Sequence, residues 1–225
     1  MLVALITPFL SQVMPAPQAV GVAMPLLIFG DLFAVRMYWQ KWDIQQVKLL
    51  LPSAVVGILA GTALLALLTN QPDDLLLRRI LGLFTLSVVV YKLASDRIAR
   101  LGYEPRNWHG YVAGSAAGFG SALANIGAPP FTAYMLLQKR APQIFIGTAS
   151  LFFAAVNLLK LPGYFIAGVL NVHQILSVLW SLPLILAGVW LGQWVTQRIN
   201  GKAFEWFMIV VLLWAIAVLL FSTPR

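Results

Sequence analysis

The chain has 225 residues, of which 60% are hydrophobic and 10% charged, with a net charge of +8 and a mean hydropathy of +0.86. Soluble domains carry roughly 25% charged residues, so too few charges are present to coat a water-facing surface, and apolar runs of about twenty residues exclude an ordinary soluble core. The lack of cysteine excludes disulfides, thiolate metal sites and thiol catalysis. Basic residues never run longer than two, as in Arg78-Arg79 and Lys139-Arg140, which is not the single basic patch of a nucleic-acid binder.

Eight apolar segments follow in chain order, at 1–14, 18–38, 47–69, 75–94, 109–138, 143–168, 174–197 and 203–221. The first is too short to cross about 30 Å of hydrocarbon at 1.5 Å per residue. The first Lys or Arg is Arg36, so the basic n-region of a signal peptide is not found. A hydrophilic stretch from Ser95 to Asn107, carrying Asp96, Arg97, Arg100, Glu104 and Arg106, divides the chain near its middle. Backbone groups in lipid must be satisfied internally, so the spans are expected to be helices, and the continuous apolar runs argue against a β-barrel. The expected fold is all-α, a polytopic transmembrane bundle in the cytoplasmic membrane.

Two halves of about four segments each share spacings. Pro52, Gly57 and Gly61 match Pro183, Gly188 and Gly192; Pro17-Gln18 matches Pro142-Gln143; Gly21 matches Gly147, and Asp31 then falls opposite Asn157. Each matched proline is expected to open a helix, where its missing N–H costs nothing. Each Gly pair, four residues apart, permits close helix contact. The organisation read from this is a first repeat at 1–94, a connecting loop at 95–108 and a second repeat at 109–225. All segments spanning would give a parallel repeat, and one re-entrant segment an inverted one; the sequence leaves both open. Placing Arg36, Lys41, Lys48, Lys92, Arg97, Arg100, Arg106, Lys160 and Arg225 on the side of the middle loop, against Arg78, Arg79, Lys139, Arg140, Arg198 and Lys202, favours a cytoplasmic middle loop.

The fifth segment runs Gly110-Tyr-Val-Ala-Gly114-Ser-Ala-Ala-Gly118-Phe-Gly120 and then Asn125-Ile-Gly127-Ala128-Pro129-Pro130-Phe131-Thr132. Two consecutive prolines lack N–H groups and clash with the preceding turn. The segment is therefore expected to break into a long half before Asn125 and a short half from Pro130. Such a break frees donors at Phe131, Thr132 and Ala133 and adds the partial positive charge of a helix start, a combination that suits an anion at membrane depth. A purely structural kink is the plainer alternative.

Other polar residues inside spans are few. Asp31 lies deep in the second segment, where a carboxylate is a candidate for proton coupling, or else a partner of Arg36. In the sixth, Thr148, Asn157, Lys160 and Tyr164 interrupt an apolar run, and the last three share one helix face at i, i+3 and i+7. His109 and His173 lie at segment ends and read as interfacial. No zinc, nucleophile-elbow or Walker pattern is present, so no enzymatic activity and no cofactor or metal are expected.

At these residues the chain resembles the sulfite exporter TauE/SafE family of membrane transporters. The resembling stretch runs from Gly114 to Gly168, through Gly118, Gly127-Ala128-Pro129-Pro130, Tyr134, Phe145, Thr148, Asn157, Lys160 and Tyr164; Pro8 through Gly61 is similar to the family's N-terminal repeat. A glycine-rich turn that the family usually carries ahead of the position of Leu2–Pro8 is missing, so the N-terminal segment is expected to be incomplete. The resemblance implies secondary transport, as an exporter, of a small and often sulfur-containing anion such as sulfite or an organosulfonate. The candidate substrate-binding residues are Asn125, Gly127, Ala128, Pro129, Pro130, Phe131, Thr132, Thr148, Asn157 and Lys160, with Asp31 for proton coupling. The implied partners are a small anion and the lipid bilayer, with no nucleic acid; a homo-oligomer is left open. A membrane scaffold, using the Gly pairs only for helix association, is the alternative from another class.

Overall fold

The computed structural model describes residues 14–69, 106–138 and 140–178, together with Thr7, Leu10, Arg79, Leu83, Leu86, Ser87, Val90, Trp180, Pro183, Leu184, Leu186, Ala187, Gly188, Trp190 and Leu191. Over these residues the chain is helical, with no strand among them. The helices are α1 (Ala16–Met37), α2 (Ile44–Thr69), α3 (Asn107–Ala124), α4 (Ala128–Leu137), α5 (Pro142–Ile166) and α6 (Val172–Val178). The expected segment at 203–221, most of 1–14 and 75–94, and part of 174–197 lie outside the described residues, as does Gly192.

Among the described residues three helices are long and apolar enough to cross a membrane: Pro17–Met37, Ile44–Thr69 and Gln143–Ile166. Their outward faces are apolar too. Val56, Leu59 and Leu67 on α2 are about two-thirds exposed, and Ile166 on α5 is 88% exposed. Such surfaces match lipid rather than water. The prolines at the starts of α1 and α5 occupy first-turn positions, as their missing N–H predicts. Pro52 does not open a helix: it sits inside α2, which starts at Ile44. It removes the N–H that would reach the Lys48 carbonyl. Lys48 is exposed near the polar start of the helix, where that loss is tolerable.

Glycine governs the central contact. Any Cβ added at Gly57 would collide with the Ser115 carbonyl, and one at Gly61 would lie 2.7 Å from the Phe119 carbonyl oxygen. From the other side, a Cβ at Gly118 would lie 2.8 Å from the Ala54 carbonyl carbon, and one at Gly114 would strike Ser53 and the Leu50 carbonyl. Two small-residue faces thus interlock backbone to backbone, the packing that membrane helices use when water supplies no driving force between them. Gly110 meets Leu49, Gly114 meets Leu50, Gly118 meets Ala54 and Gly61 meets Ala122. Both numberings rise together, so α2 and α3 run parallel.

The remaining directions follow from contacts at one end of the bundle. The Asp43 N–H donates to Thr148 Oγ1 at 2.8 Å, Gly147 packs on Lys41 and Tyr38, and Arg140 pairs with Asp43 at 2.9 Å. Tyr134 Oη donates to Gln46 Oε1 at 2.9 Å, and lies beside Gly110. The end of α1 and the starts of α2, α3 and α5 therefore meet at this Asp43 end, as does the end of α4. The fifth segment is a hairpin: α3 runs inward, breaks, and α4 returns to the end where α3 began. This places Arg140 with Arg36 and Lys41, not on the opposite side; an unbroken crossing would have carried it over, and the proline break turns it back. Lys139 lies outside the described residues. At the far end Thr62 of α2 packs on Gly163 of α5, so α5 also runs parallel to α2 and α3, and antiparallel to α1.

Candidate functional site

The hairpin tip is built from the end of α3. Asn125 adopts the left-handed conformation (φ 59°, ψ 24°), in which Asn is among the few tolerated residues. Its N–H donates to the Ser121 carbonyl at 3.0 Å and that of Ile126 to the Gly120 carbonyl at 2.9 Å, closing the helix. Gly127 follows, with no room for a Cβ between the Ala117 carbonyl, Ser121 and Phe153. Gly61 of α2, level with Ala122, lies eight residues before Thr69, and Asn125 is three residues farther along the parallel α3, so the tip stops about 7–8 Å short of the end of a membrane-spanning helix.

Lys160 reaches this tip from α5 and is fully buried. Its ammonium donates to the Ser121 carbonyl and Ser121 Oγ, each at 3.0 Å, and to Asn125 Oδ1 at 2.7 Å. An ammonium has three donors, and all three are engaged by neutral oxygens. Because Lys160 can only donate, the Asn125 oxygen must face it. The amide nitrogen then donates to Thr7 Oγ1 at 3.0 Å and to the Val20 carbonyl at 3.2 Å. Tyr164, one turn beyond Lys160, donates from Oη to the Ala122 carbonyl at 2.6 Å; the Lys160 Nζ lies 5.5 Å from the centre of its ring. Lysine and tyrosine together cover the negative end of the α3 dipole.

One turn before Lys160, Asn157 is buried and donates from Nδ2 to Asp31 Oδ2 on α1. Its own Oδ1 is buried without a hydrogen-bond partner among the described residues. Asp31 therefore pairs with Asn157 rather than with Arg36, which is exposed. Asn125 with Lys160, and Asn157 with Asp31, thus form two hydrogen-bonded groups one helical turn apart on α5.

The other expected residues distribute differently. Thr148 lies twelve residues before Lys160 on α5, about 18 Å along the axis. There it accepts from Asp43 and donates to the Ile144 carbonyl at 2.7 Å. Phe131 stacks on Phe152 with centroids 4.9 Å apart and meets Phe145 and Phe153 edge-on, as part of an aromatic core. Ala128 is half-buried, while Pro129, Pro130 and Thr132 are buried beside it. The second half-helix starts at Ala128, two residues earlier than Pro130. A helix beginning there engages the Phe131 N–H with the carbonyl four residues back, and the prolines remove two of the remaining donors. The expected row of free amides at Phe131, Thr132 and Ala133 is therefore not formed. The positive group at the break is the Lys160 ammonium instead.

Ser121, Tyr164 and Thr7 complete the site and were not among the expected ligands. Ser121 precedes Asn125 by four residues and Tyr164 follows Lys160 by four, so helical spacing alone would have pointed to both. Thr7 carried no such signal.

Among the described residues no group of His, Cys, Asp or Glu could hold a metal ion. No curated protein and no solved structure matches the chain. A model of the family of sulfite exporters TauE/SafE matches residues 2–219, and the chain belongs to that family of membrane transporters.

Proposed function

We propose that this chain is a secondary transporter, working as an exporter in the cytoplasmic membrane, of a small sulfur-containing oxoanion such as sulfite or an organosulfonate. The observation that carries this reading is Lys160: a fully buried ammonium whose hydrogen-bond partners are all neutral. Its nearest carboxylate, Asp31, interacts with it electrostatically but is bonded to Asn157, and a buried charge that lacks a directly paired counter-ion costs several kcal/mol. An oxoanion reaching the hairpin tip would bring a negative charge into direct contact with it and accept the same N–H groups in charge-assisted bonds. Asn125, Ser121 and the polypeptide turn Gly127–Pro130 would shape its surroundings, and Asn157 would lie one helical turn away. Asp31 is the candidate for proton coupling, since it is a carboxylate inside a span that interacts electrostatically with Lys160.

The convergence of Asn125, Asn157 and Lys160 supports transport over a scaffold. Gly57 and Gly61, one of the pairs that the scaffold alternative assigns to helix association, pack on α3 of the same chain. Arg36, Lys41, Lys48, Arg106 and Arg140 gather at the Asp43 end, which supports a cytoplasmic location for that end. The test is flux in proteoliposomes loaded with sulfite, sulfate, thiosulfate or taurine. Wild-type protein is expected to move at least one of these, and Lys160→Ala to abolish that flux while remaining folded. Lys160→Arg is expected to fail as well, because a planar fork does not fit three converging acceptors. Undiminished flux in Lys160→Ala would remove this lysine from the mechanism.

A further inference from the structure

Gly21 and Gly147, Asp31 and Asn157, and Tyr38 and Tyr164 are pairs separated by the same 126 residues. Tyr38 caps α1 and the others lie on α1 and α5, each of which has a Pro-Gln pair in its first turn, 125 residues apart. The two helices run antiparallel. At one end Gly147 packs on Tyr38, with a Cβ–Cβ distance of 3.4 Å for an added methyl group. At the other, Tyr164 shares a buried cluster with Val20, the neighbour of Gly21. Between these contacts Asn157 donates to Asp31, its own counterpart in the register.

A two-fold rotation exchanges two antiparallel helices, and a residue that touches its own counterpart must lie on the rotation axis. A parallel repeat would instead superpose matched helices running in the same direction. We infer that the two halves form an inverted repeat whose pseudo-two-fold axis passes between Asp31 and Asn157, and that this pair is the central polar position which both halves share. In the second half the hairpin of α3 and α4 supplies a re-entrant element, which takes one crossing from the four segments there and leaves the odd number that inversion needs. A group on the axis keeps its place when the halves exchange conformations, so one carboxylate there can serve both. Which half carries it is then immaterial to first order: here α1 holds the acid and α5 the amide. The role of this position in coupling rests on the transporter reading; the inversion itself does not.

Two experiments decide it. The chain has no cysteine, and Gln18 and Gln143, at equivalent places near the starts of α1 and α5, are both exposed. Gln18→Cys and Gln143→Cys, expressed singly in cells, are treated with a membrane-impermeant maleimide before and after permeabilisation. Inversion requires labelling from opposite sides, with Lys41→Cys siding with Gln143→Cys. Labelling of Gln18→Cys and Gln143→Cys from the same side overturns the proposal.

In the second, Asp31→Asn, Asn157→Asp and the exchanged double variant are compared. The single variants face amide to amide or acid to acid, and each should lower the melting midpoint. The double variant restores an acid–amide pair and should recover it, a non-additivity expected only of residues in contact. In liposomes Asp31→Asn should slow anion flux by about tenfold or more, as when one partner of a buried charged pair is removed. The double variant should regain most of that flux. A double variant that melts like the wild type but transports no better than Asp31→Asn overturns the shared position. A wild type that moves no anion speaks against the transporter reading, and the labelling result still decides the inversion.

Discussion

Replacing Gly118 by alanine tests the helix contact on which the site is mounted. The added methyl would lie 2.8 Å from the Ala54 carbonyl carbon and 2.9 Å from Ala54 Cα, with the carbonyl oxygen nearer still. Carbon–carbon contacts are optimal at about 3.5–4.0 Å, so α2 and α3 must part by at least about 0.7 Å. The obstruction is backbone and cannot rotate away. A gap of that size forfeits roughly a quarter to a half of each dispersion contact along the seam, and overpacking commonly costs about 1–3 kcal/mol. With Gly57, Gly61 and Gly114 in the same seam, the upper figure is appropriate. At about 2–4 °C per kcal/mol for a chain of this size, the melting midpoint should fall by roughly 6–12 °C. Gly30→Ala is the matched control: nothing among the described residues lies within 4 Å of a Cβ there, and the helix preference of alanine should stabilise α1 by up to about 1 kcal/mol. Thermal unfolding of the three purified proteins in one detergent gives the comparison. A Gly118→Ala protein melting with the wild type would refute the backbone-to-backbone contact.

Asn125 separates two effects. Asn125→Gly loses the side-chain bonds to Lys160, Thr7 and Val20 but keeps the left-handed turn, whereas Asn125→Ala loses both, so the alanine variant should be less stable than the glycine variant by about 1–2 kcal/mol in the same melting assay. Tyr164→Phe should destabilise by about 1–3 kcal/mol, because it removes the 2.6 Å bond to a buried carbonyl without leaving a large cavity. Thr148→Val should destabilise by about 1–3 kcal/mol by leaving the Asp43 amide unmatched, while Thr148→Ser should not. Arg140→Ala, at an ion pair with 43% exposure on the arginine side, should cost under about 1 kcal/mol.

Those features of the fold that depend on composition along a single helix were legible in the sequence. The bounds of α1, α2 and α5 fall within a few residues of the apolar segments, since hydropathy and first-turn prolines act locally. The break near Pro129 was equally plain, as two prolines cannot continue a helix. Lys160, Asn157 and Asp31 stood out because ionisable and amide groups inside a span need partners. What escaped was set by tertiary geometry. The return of α4 depends on the left-handed turn at Asn125, and a proline pair alone does not say whether a helix kinks or reverses. Phe131 and Thr148 were grouped with the site by proximity in sequence, yet a rise of 1.5 Å per residue carries Thr148 to the Asp43 end, and the ring of Phe131 turns toward Phe152. Gly114 and Gly118 were visible as a glycine run, but only the assembled bundle reveals them as the face that receives Gly57 and Gly61.

Because α3 and α4 enter and leave at one end, the stretch from Asn107 to Leu137 contributes no net passage through the bilayer. A hydropathy plot tallies it as one passage and inverts the sidedness of everything after it. Fusion reporters would expose the difference: joined just before Asn107 and just after Gln138, they should report the same compartment, and any epitope map drawn from hydropathy needs its downstream half reversed.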